Sequence, residues 1–241
     1  MPSTAVRFAG FSPDAIQFLA DLAQNNDRAW FTPRKADFER LCREPLETLC
    51  LALDERFRAR GIPLHADPRR SPFRIYRDTR FSKDKSPYKT NVGASFPWSA
   101  GGVEGAPPVG REAAGHSSGG YFHFQPGEMF MGGGMYMADK PHIDAFRRAV
   151  VADPDRVRAA LEDPRFTSFF EHAYAHESLK RMPADWPADH PLAHLFLWKD
   201  VIFGRSLSDA EVCSPELPDL LADGYAAATP VFRLLASLQP G

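Results

Sequence analysis

The pattern that most limits the fold lies in the middle of the chain. Four segments rich in aromatic and β-branched residues follow one another there, each bounded by Pro, Gly or Ser, and this texture is typical of β-strands. Regular alternation of strands with helices is absent, so the pattern predicts antiparallel strands rather than a parallel sheet. The four predicted strands are Phe73 to Arg77, Val92 to Trp98, Tyr121 to Phe124 and Glu128 to Met137.

Helical patterns precede these strands. Ser12 is followed by Pro13 and by apolar residues at helical spacing, which predicts a helix with Ser12 as its N-cap. A second helical start falls at Thr32-Pro33, and its apolar stripe runs to Gly61, where glycine is a typical helix end. Pro45 lies inside this stretch, so we expect it to break or kink the helix.

Helical patterns return after the strands. They begin after Pro141 and again at Asp153-Pro154, and two further candidates cover residues 189–199 and 215–238. The order of helices, then strands, then helices predicts an α+β fold, with a single antiparallel β-sheet packed with N-terminal and C-terminal helices. We expect one domain over residues 1–241. The Gly-rich stretch at residues 99–119 is interpreted as a flexible loop within it.

The composition excludes several classes of protein. No apolar run approaches the roughly 20 residues of a membrane span, and the first residues lack the features of a signal peptide, so we expect a cytoplasmic protein without membrane contact. The cysteines Cys42, Cys50 and Cys213 are too few and too irregular for a disulfide framework or a CxxC metal site. We interpret them as small apolar side chains.

A basic cluster stands out against this background. Residues 73–91 read FRIYRDTRFSKDKSPYKTN and carry a net charge of +4, in a chain whose formal net charge is -2. The rest of the chain is therefore acidic, which argues against a protein that coats nucleic acid with its whole surface. The local asymmetry indicates a candidate site for an anion.

Several stretches together resemble a known family. These are FLADLAQNNDRAWF, the basic segment FRIYRDTRFSKDKSPYKTN, the stretch YFHFQPGEMFMGGGMY, and the Leu179 to Pro183 pattern followed by DHPLAHLFLWK. They resemble the bacterial and fungal family catalogued as domain of unknown function 2461. The resemblance spans nearly the whole chain and implies a single domain, but no particular activity. The residues on the family motif are Arg77, Asp78, Arg80, Phe81, Lys83, Lys85, Tyr88, Lys89 and Asn91.

The basic segment divides into a strand and a turn. In a strand, Phe73, Ile75 and Arg77 would share one face, with the apolar pair in the core and Arg77 at its edge. The run SKDKSPYK is a turn by composition, and its amides and lysines resemble a phosphate cradle in outline. It lacks the GxxxxGK[ST] pattern of a P-loop.

Three interpretations of the cluster stay open. The leading one is binding of a small anionic or phosphorylated ligand, with turnover of that ligand left open. The second is a nucleic-acid-binding module that uses the same basic and aromatic patch. The third is a structural ion-pair network with no ligand. The candidate ligand-binding residues are Arg74, Arg77, Asp78, Arg80, Lys83, Lys85, Tyr88 and Lys89.

Other candidate sites are weaker. His172 and His176 are spaced i, i+4, as are His190 and His194, but two ligands without a third do not specify a metal site. We therefore predict no metal and no cofactor. Residues 132–134 are three glycines inside a strand pattern, which indicates close approach of another backbone segment or a ligand. No nucleophile motif is present, so the sequence assigns no catalytic residue.

Overall fold

The structure is a computed structural model that describes residues 7–80, 83–99 and 118–239. Most of the Gly-rich stretch that the sequence analysis interpreted as a flexible loop, residues 100–117, lies outside the described residues. Phe81 and Ser82 of the family motif also lie outside them.

The first helix begins where the sequence predicts. Helix α1 covers Pro13–Gln24, and the Ser12 Oγ accepts a hydrogen bond from the Ala15 N–H at 3.3 Å. Asp27 caps the next helix in the same way, by accepting from the Trp30 N–H at 2.8 Å. Side-chain caps of this kind satisfy N–H groups that the helix itself leaves unpaired.

A nearly continuous helical segment follows and ends at Gly61, in the left-handed conformation (φ 63°) that favours glycine. The helix does not break at Pro45, because a π-helical turn precedes it, in which the Glu44 N–H donates to the Glu39 carbonyl five residues back. Such a wider turn is a common way for a helix to absorb a local irregularity. The segment comprises α2 (Arg28–Phe31), a 3-10 turn (Thr32–Arg34), α3 (Lys35–Phe38), the π turn (Glu39–Arg43) and α4 (Glu44–Arg60).

The sheet has four antiparallel strands in the order β1-β2-β3-β4. Three of them confirm predicted strands within a few residues, and the fourth, β4, was not predicted. The predicted strand Phe73 to Arg77 is instead an extended segment that makes only isolated bridges, from Pro72 to Ala94 and from Tyr76 to Tyr88. The strands are β1 (Val92–Pro97), β2 (Gly119–Gln125), β3 (Glu128–Met135) and β4 (Val201–Ser206).

The glycines of β3 permit close contact between strands. Gly134 has φ 116°, and a Cβ there would lie 2.2 Å from the Val201 carbonyl oxygen. A Cβ at Gly133 would lie 2.6 Å from the Gly119 carbonyl oxygen. These positions therefore have room for glycine alone, as the close-approach interpretation predicted.

Helices follow the sheet strands in the C-terminal half. The predicted helix at residues 189–199 is only a 3-10 turn at Ala193–Leu197. The buried guanidinium of Arg147 holds the end of this turn, because it donates to the carbonyl oxygens of Phe196 and Trp198, each at 3.0 Å. The helices are α5 (Lys140–Ala152), α6 (Pro154–Leu161), α7 (Pro164–Phe170), α8 (Asp209–Val212), α9 (Leu217–Ala227) and α10 (Thr229–Ala236).

Helices from both halves of the sequence cover one face of the sheet. Phe122 and Phe124 of β2 point into the core and have no exposed surface. Helix α4 packs against α9, where Arg56 pairs with Asp219 at 2.7 Å and Arg60 pairs with Asp223 at 2.5 Å. The α+β fold is thus confirmed. No helix among the described residues is both long and apolar enough to cross a membrane.

Candidate functional site

The basic segment folds as an arm on the free edge of β1. The Phe73 N–H donates to the Gly93 carbonyl at 2.9 Å, which fixes the start of the arm to the strand. The chain then turns back on itself, and the Arg77 N–H donates to the Pro87 carbonyl at 2.9 Å while the Lys89 N–H donates to the Ile75 carbonyl at 2.7 Å. We call residues 74–89 the basic hairpin.

Asn26 fastens the basic hairpin to the N-terminal helices. Its Nδ2 donates to the Tyr88 carbonyl at 2.9 Å, and its Oδ1 accepts from the Tyr88 N–H at 3.0 Å. The Tyr88 ring is buried and stacks on Phe31, with 4.1 Å between the ring centroids. These contacts place the hairpin beside α2 and α3.

Side-chain burial along the hairpin alternates. Ile75 is buried, while Arg74 and Tyr76 on either side of it are exposed, as strand geometry predicts. Phe73 is only half-buried, although the sequence analysis placed it in the core. The Lys89 Nζ lies 5.0 Å from the centroid of the Phe73 ring, within the range of a cation–π contact.

Two clefts flank Tyr76. The first, which we call the cationic cleft, has a volume of about 560 Å³. Three of its lining side chains carry positive charge: Arg28, Arg77 and Lys85. The Lys85 Nζ donates to the Thr79 carbonyl at 2.8 Å, so the backbone of the hairpin turn positions this ammonium group.

One of these three cations is neutralised locally. Arg77 forms an ion pair with Asp84. The pKa of Asp84 is lowered to about 2, first because the Ser86 hydroxyl and N–H donate to it at 2.6 and 2.9 Å, and then because Arg77 does. Asp84 is therefore ionised at neutral pH. Arg28 has no carboxylate within ion-pair distance among the described residues.

The second cleft, which we call the apolar-floored cleft, lies on the other side of Tyr76 and has a volume of about 310 Å³. Phe31, Phe38 and Ile75 are buried side chains that line it. Its rim is charged and mixed in sign, and Arg43 on the rim is already paired with Glu47 at 2.5 Å. The charged lining residues are Lys35, Glu39, Arg43, Glu47 and Arg74.

The residues that line both clefts fall within the region of the chain that matches a known protein family. The model of the conserved hypothetical protein family DUF2461 matches residues 14–233. The chain belongs to this family. No significant match was found among curated proteins or among solved structures. Membership in DUF2461 confirms the resemblance seen in the sequence, and it assigns no activity.

The DUF2461 motif does not converge on one point. Of the eight predicted ligand-binding residues, Arg77, Lys85 and Tyr88 lie together in the cationic cleft. Arg74 lines the apolar-floored cleft instead. The other four line neither cleft: Asp78, Arg80, Lys83 and Lys89.

Two of those four side chains, Asp78 and Arg80, form an ion pair with each other. Arg80 donates from Nε and one terminal nitrogen to the two carboxylate oxygens of Asp78, at 3.0 and 2.9 Å. The Arg80 side chain is 76% exposed, and ion pairs at such exposure contribute little to stability. Together with the pair of Arg77 and Asp84, this pair supports the structural interpretation for Arg77 and Arg80.

Sequence reasoning missed two residues of the site. Neither Arg28 nor Asn26 is among the candidate residues that the sequence predicted. Both lie in the stretch FLADLAQNNDRAWF, which carries the family resemblance together with the basic segment. Asn26 and Tyr88 are 62 positions apart in sequence. The fact that both stretches carry the family resemblance was the one signal that could have linked them.

A polar pair lies on the sheet face away from the helices. The Tyr121 hydroxyl lies 2.9 Å from the His123 Nδ1, and the His123 ring stacks on Phe130 at 4.8 Å between centroids. Burial lowers the pKa of His123 and raises the pKa of Tyr121 to about 12. The His123 Nε2 is buried without a hydrogen-bond partner among the described residues.

Both histidine pairs lie outside the α-helices. His172 and His176 follow α7 in an irregular segment, and His190 and His194 lie in turns, so neither pair has the helical geometry that would align two ligands. Among the described residues, no group of three or more His, Cys, Asp or Glu side chains is arranged to hold a metal ion.

Proposed function

We propose that this DUF2461 protein binds a small anionic ligand, of the phosphorylated class, in the cationic cleft. One observation carries the proposal: Arg28, Arg77 and Lys85 line the same cleft, and only Arg77 has a carboxylate partner among the described residues. The cleft therefore holds uncompensated positive charge in a chain of net charge -2. A concave surface lined by one sign of charge concentrates ligands of the opposite sign.

The chemistry of these side chains suits a phosphate group. Lys85 uses one of its N–H groups on the Thr79 carbonyl, and an ammonium group has further donors to offer. Arg28 offers a planar guanidinium, whose paired N–H groups match two phosphate oxygens. The proposal is for binding of the ligand in the cytoplasm, the location that the sequence predicts.

The test is ligand-dependent stabilisation measured by thermal unfolding. The wild-type protein is heated with inorganic phosphate or sulfate at constant ionic strength, with chloride as the reference anion. A ligand present at a hundred times its Kd stabilises a protein by about 2.7 kcal/mol. For a chain of this size, that free energy corresponds to a rise in Tm of about 5–10 °C.

Matched variants identify the cleft as the place of binding. Arg28→Gln and Lys85→Gln each remove one cation from the cleft and should weaken the response to phosphate. Lys83→Gln is the control, because Lys83 is an exposed cation of the same hairpin that lines neither cleft. The proposal is wrong if phosphate and sulfate leave the wild-type Tm unchanged, or if the two cleft variants respond as the wild type does.

The structural alternative makes a different prediction for Arg77. If its pair with Asp84 serves only to fix the hairpin, Arg77→Gln should lower Tm while the shift caused by phosphate stays the same. If Arg77 also contacts the ligand, the variant should lose part of that shift as well.

A further inference from the structure

Tyr76 separates two clefts of different chemistry. It lines both of them, and half of its surface is exposed. On one side lies the cationic cleft, and on the other lies the cleft with an apolar floor. A ligand that fills both clefts must therefore combine a strongly anionic group with a second group. That second group must be able to lie against an apolar floor and to form polar contacts with a charged rim.

The wall between the clefts is aromatic. Tyr76 lies 5.6 Å from Tyr88, and Tyr88 lies 4.1 Å from Phe31, measured between ring centroids. Phe31 lines the apolar-floored cleft and Tyr88 lines the cationic cleft. Because Phe31 and Tyr88 are buried, Tyr76 is the member of this row with the most surface available for stacking.

The rim of the apolar-floored cleft can pair with polar ring edges. Glu39 offers carboxylate oxygens to N–H donors, and Arg74 offers N–H groups to acceptors. A planar heterocycle has both kinds of group along its edge, and apolar faces that suit contact with Phe38 and Ile75.

We propose that the two clefts together bind a nucleotide. Its phosphate lies at Arg28 and Lys85 in the cationic cleft, and its base lies in the apolar-floored cleft against Tyr76. This inference rests on the proposed function, because it takes the cationic cleft as the phosphate site.

The charges favour a mononucleotide over a nucleic-acid strand. The lining residues of the apolar-floored cleft include three cations and two carboxylates, and Arg43 is consumed by its pair with Glu47. This balance offers little attraction to a second phosphate. A strand instead requires a track of cations that follows its backbone.

The experiment compares four kinds of ligand by isothermal titration calorimetry at fixed ionic strength. They are a panel of nucleoside 5′-monophosphates, ribose 5-phosphate, the matching nucleosides, and inorganic phosphate. We expect at least one nucleotide to bind about ten times more tightly than ribose 5-phosphate, because the base adds stacking and edge contacts. The nucleosides should bind more weakly than the nucleotides.

Variants separate the two parts of the site. Tyr76→Ala should weaken nucleotide binding about tenfold and should weaken ribose 5-phosphate binding much less, while Tyr76→Phe should retain the affinity of the wild type. Lys85→Gln should weaken both ligands, and Lys83→Gln should weaken neither. Tyr76 is half exposed, so its removal should leave the fold intact, which circular dichroism and Tm verify.

The outcomes distinguish this inference from the proposed function. If ribose 5-phosphate binds as tightly as every nucleotide, the inference is wrong and the proposed function stands. If no phosphate compound binds, both are wrong. If a trinucleotide binds more than tenfold more tightly than the mononucleotides, with a log–log salt slope steeper by about 0.7 per added phosphate, the ligand is a strand and the mononucleotide assignment is overturned.

Discussion

Asn26→Ala should detach the basic hairpin from the N-terminal helices. The variant removes two hydrogen bonds to the Tyr88 backbone, at 2.9 and 3.0 Å. Tyr88 is only 4% exposed, so water does not readily replace the lost partner groups. An unsatisfied buried polar group costs about 1–3 kcal/mol, so we expect the free energy of unfolding to fall by about 2–4 kcal/mol.

The measurement is urea denaturation of the variant beside Asn25→Ala. Asn25 is the exposed neighbour and makes a single side-chain bond, to the Asp21 carbonyl at 2.9 Å, so its removal should cost less than about 1 kcal/mol. Asn26→Ala should also reduce the Tm shift caused by phosphate, since it displaces the hairpin that carries Lys85. A loss of stability below about 0.5 kcal/mol, or equal to that of Asn25→Ala, would refute the role assigned to Asn26.

Three further perturbations test the fold and the sheet face. Arg147→Met should lower the free energy of unfolding by about 3 kcal/mol, because the carbonyl oxygens of Phe196 and Trp198 lose their hydrogen-bond donor. The control Arg148→Met changes an exposed site and should cost below about 1 kcal/mol. Gly134→Ala should destabilise more than Gly127→Ala by at least about 1 kcal/mol in urea denaturation, because both have positive φ but only the first meets a backbone oxygen. Burial lowers the pKa of His123, so the unfolded chain takes up a proton more readily and stability should fall as the pH drops below about 6.5. His123→Asn should flatten the change in Tm between pH 7.5 and pH 5.5, and an unchanged slope would contradict this.

Local signals were sufficient for much of the fold. Ser12 and Gly61 mark helix ends through their own caps and dihedral angles, so residues adjacent in sequence were enough to place them. Strand β4 begins with the strand-forming residues Val201, Ile202 and Phe203, but this run is short and directly follows an apolar stretch that has helical spacing, so it was not recognised. Its place in the sheet is set by pairing with β3, which sequence periodicity does not report.

The candidate site depends still more on contacts between distant segments. The alternation of Arg74, Ile75 and Tyr76 followed from strand geometry. The division of the basic segment into two clefts did not, because it is created by the docking of the hairpin beside α2 and α3. A count of charges identified the segment, whereas only the folded chain shows that Arg28 lines the same cleft as Lys85.

The packing of α4 on α9 has a consequence for how the chain reaches its fold. Arg56 and its partner Asp219 are 163 residues apart in sequence, so the interface between these helices forms only after a very long stretch of chain has been made. Contacts of such high sequence separation are formed at a large entropic cost, and they slow folding. The folded chain fully buries three apolar side chains of α4, namely Leu49, Leu53 and Phe57. During synthesis these side chains therefore stay partly exposed until α9 has been made. We expect this helix to be the segment of the nascent chain that most needs protection from aggregation.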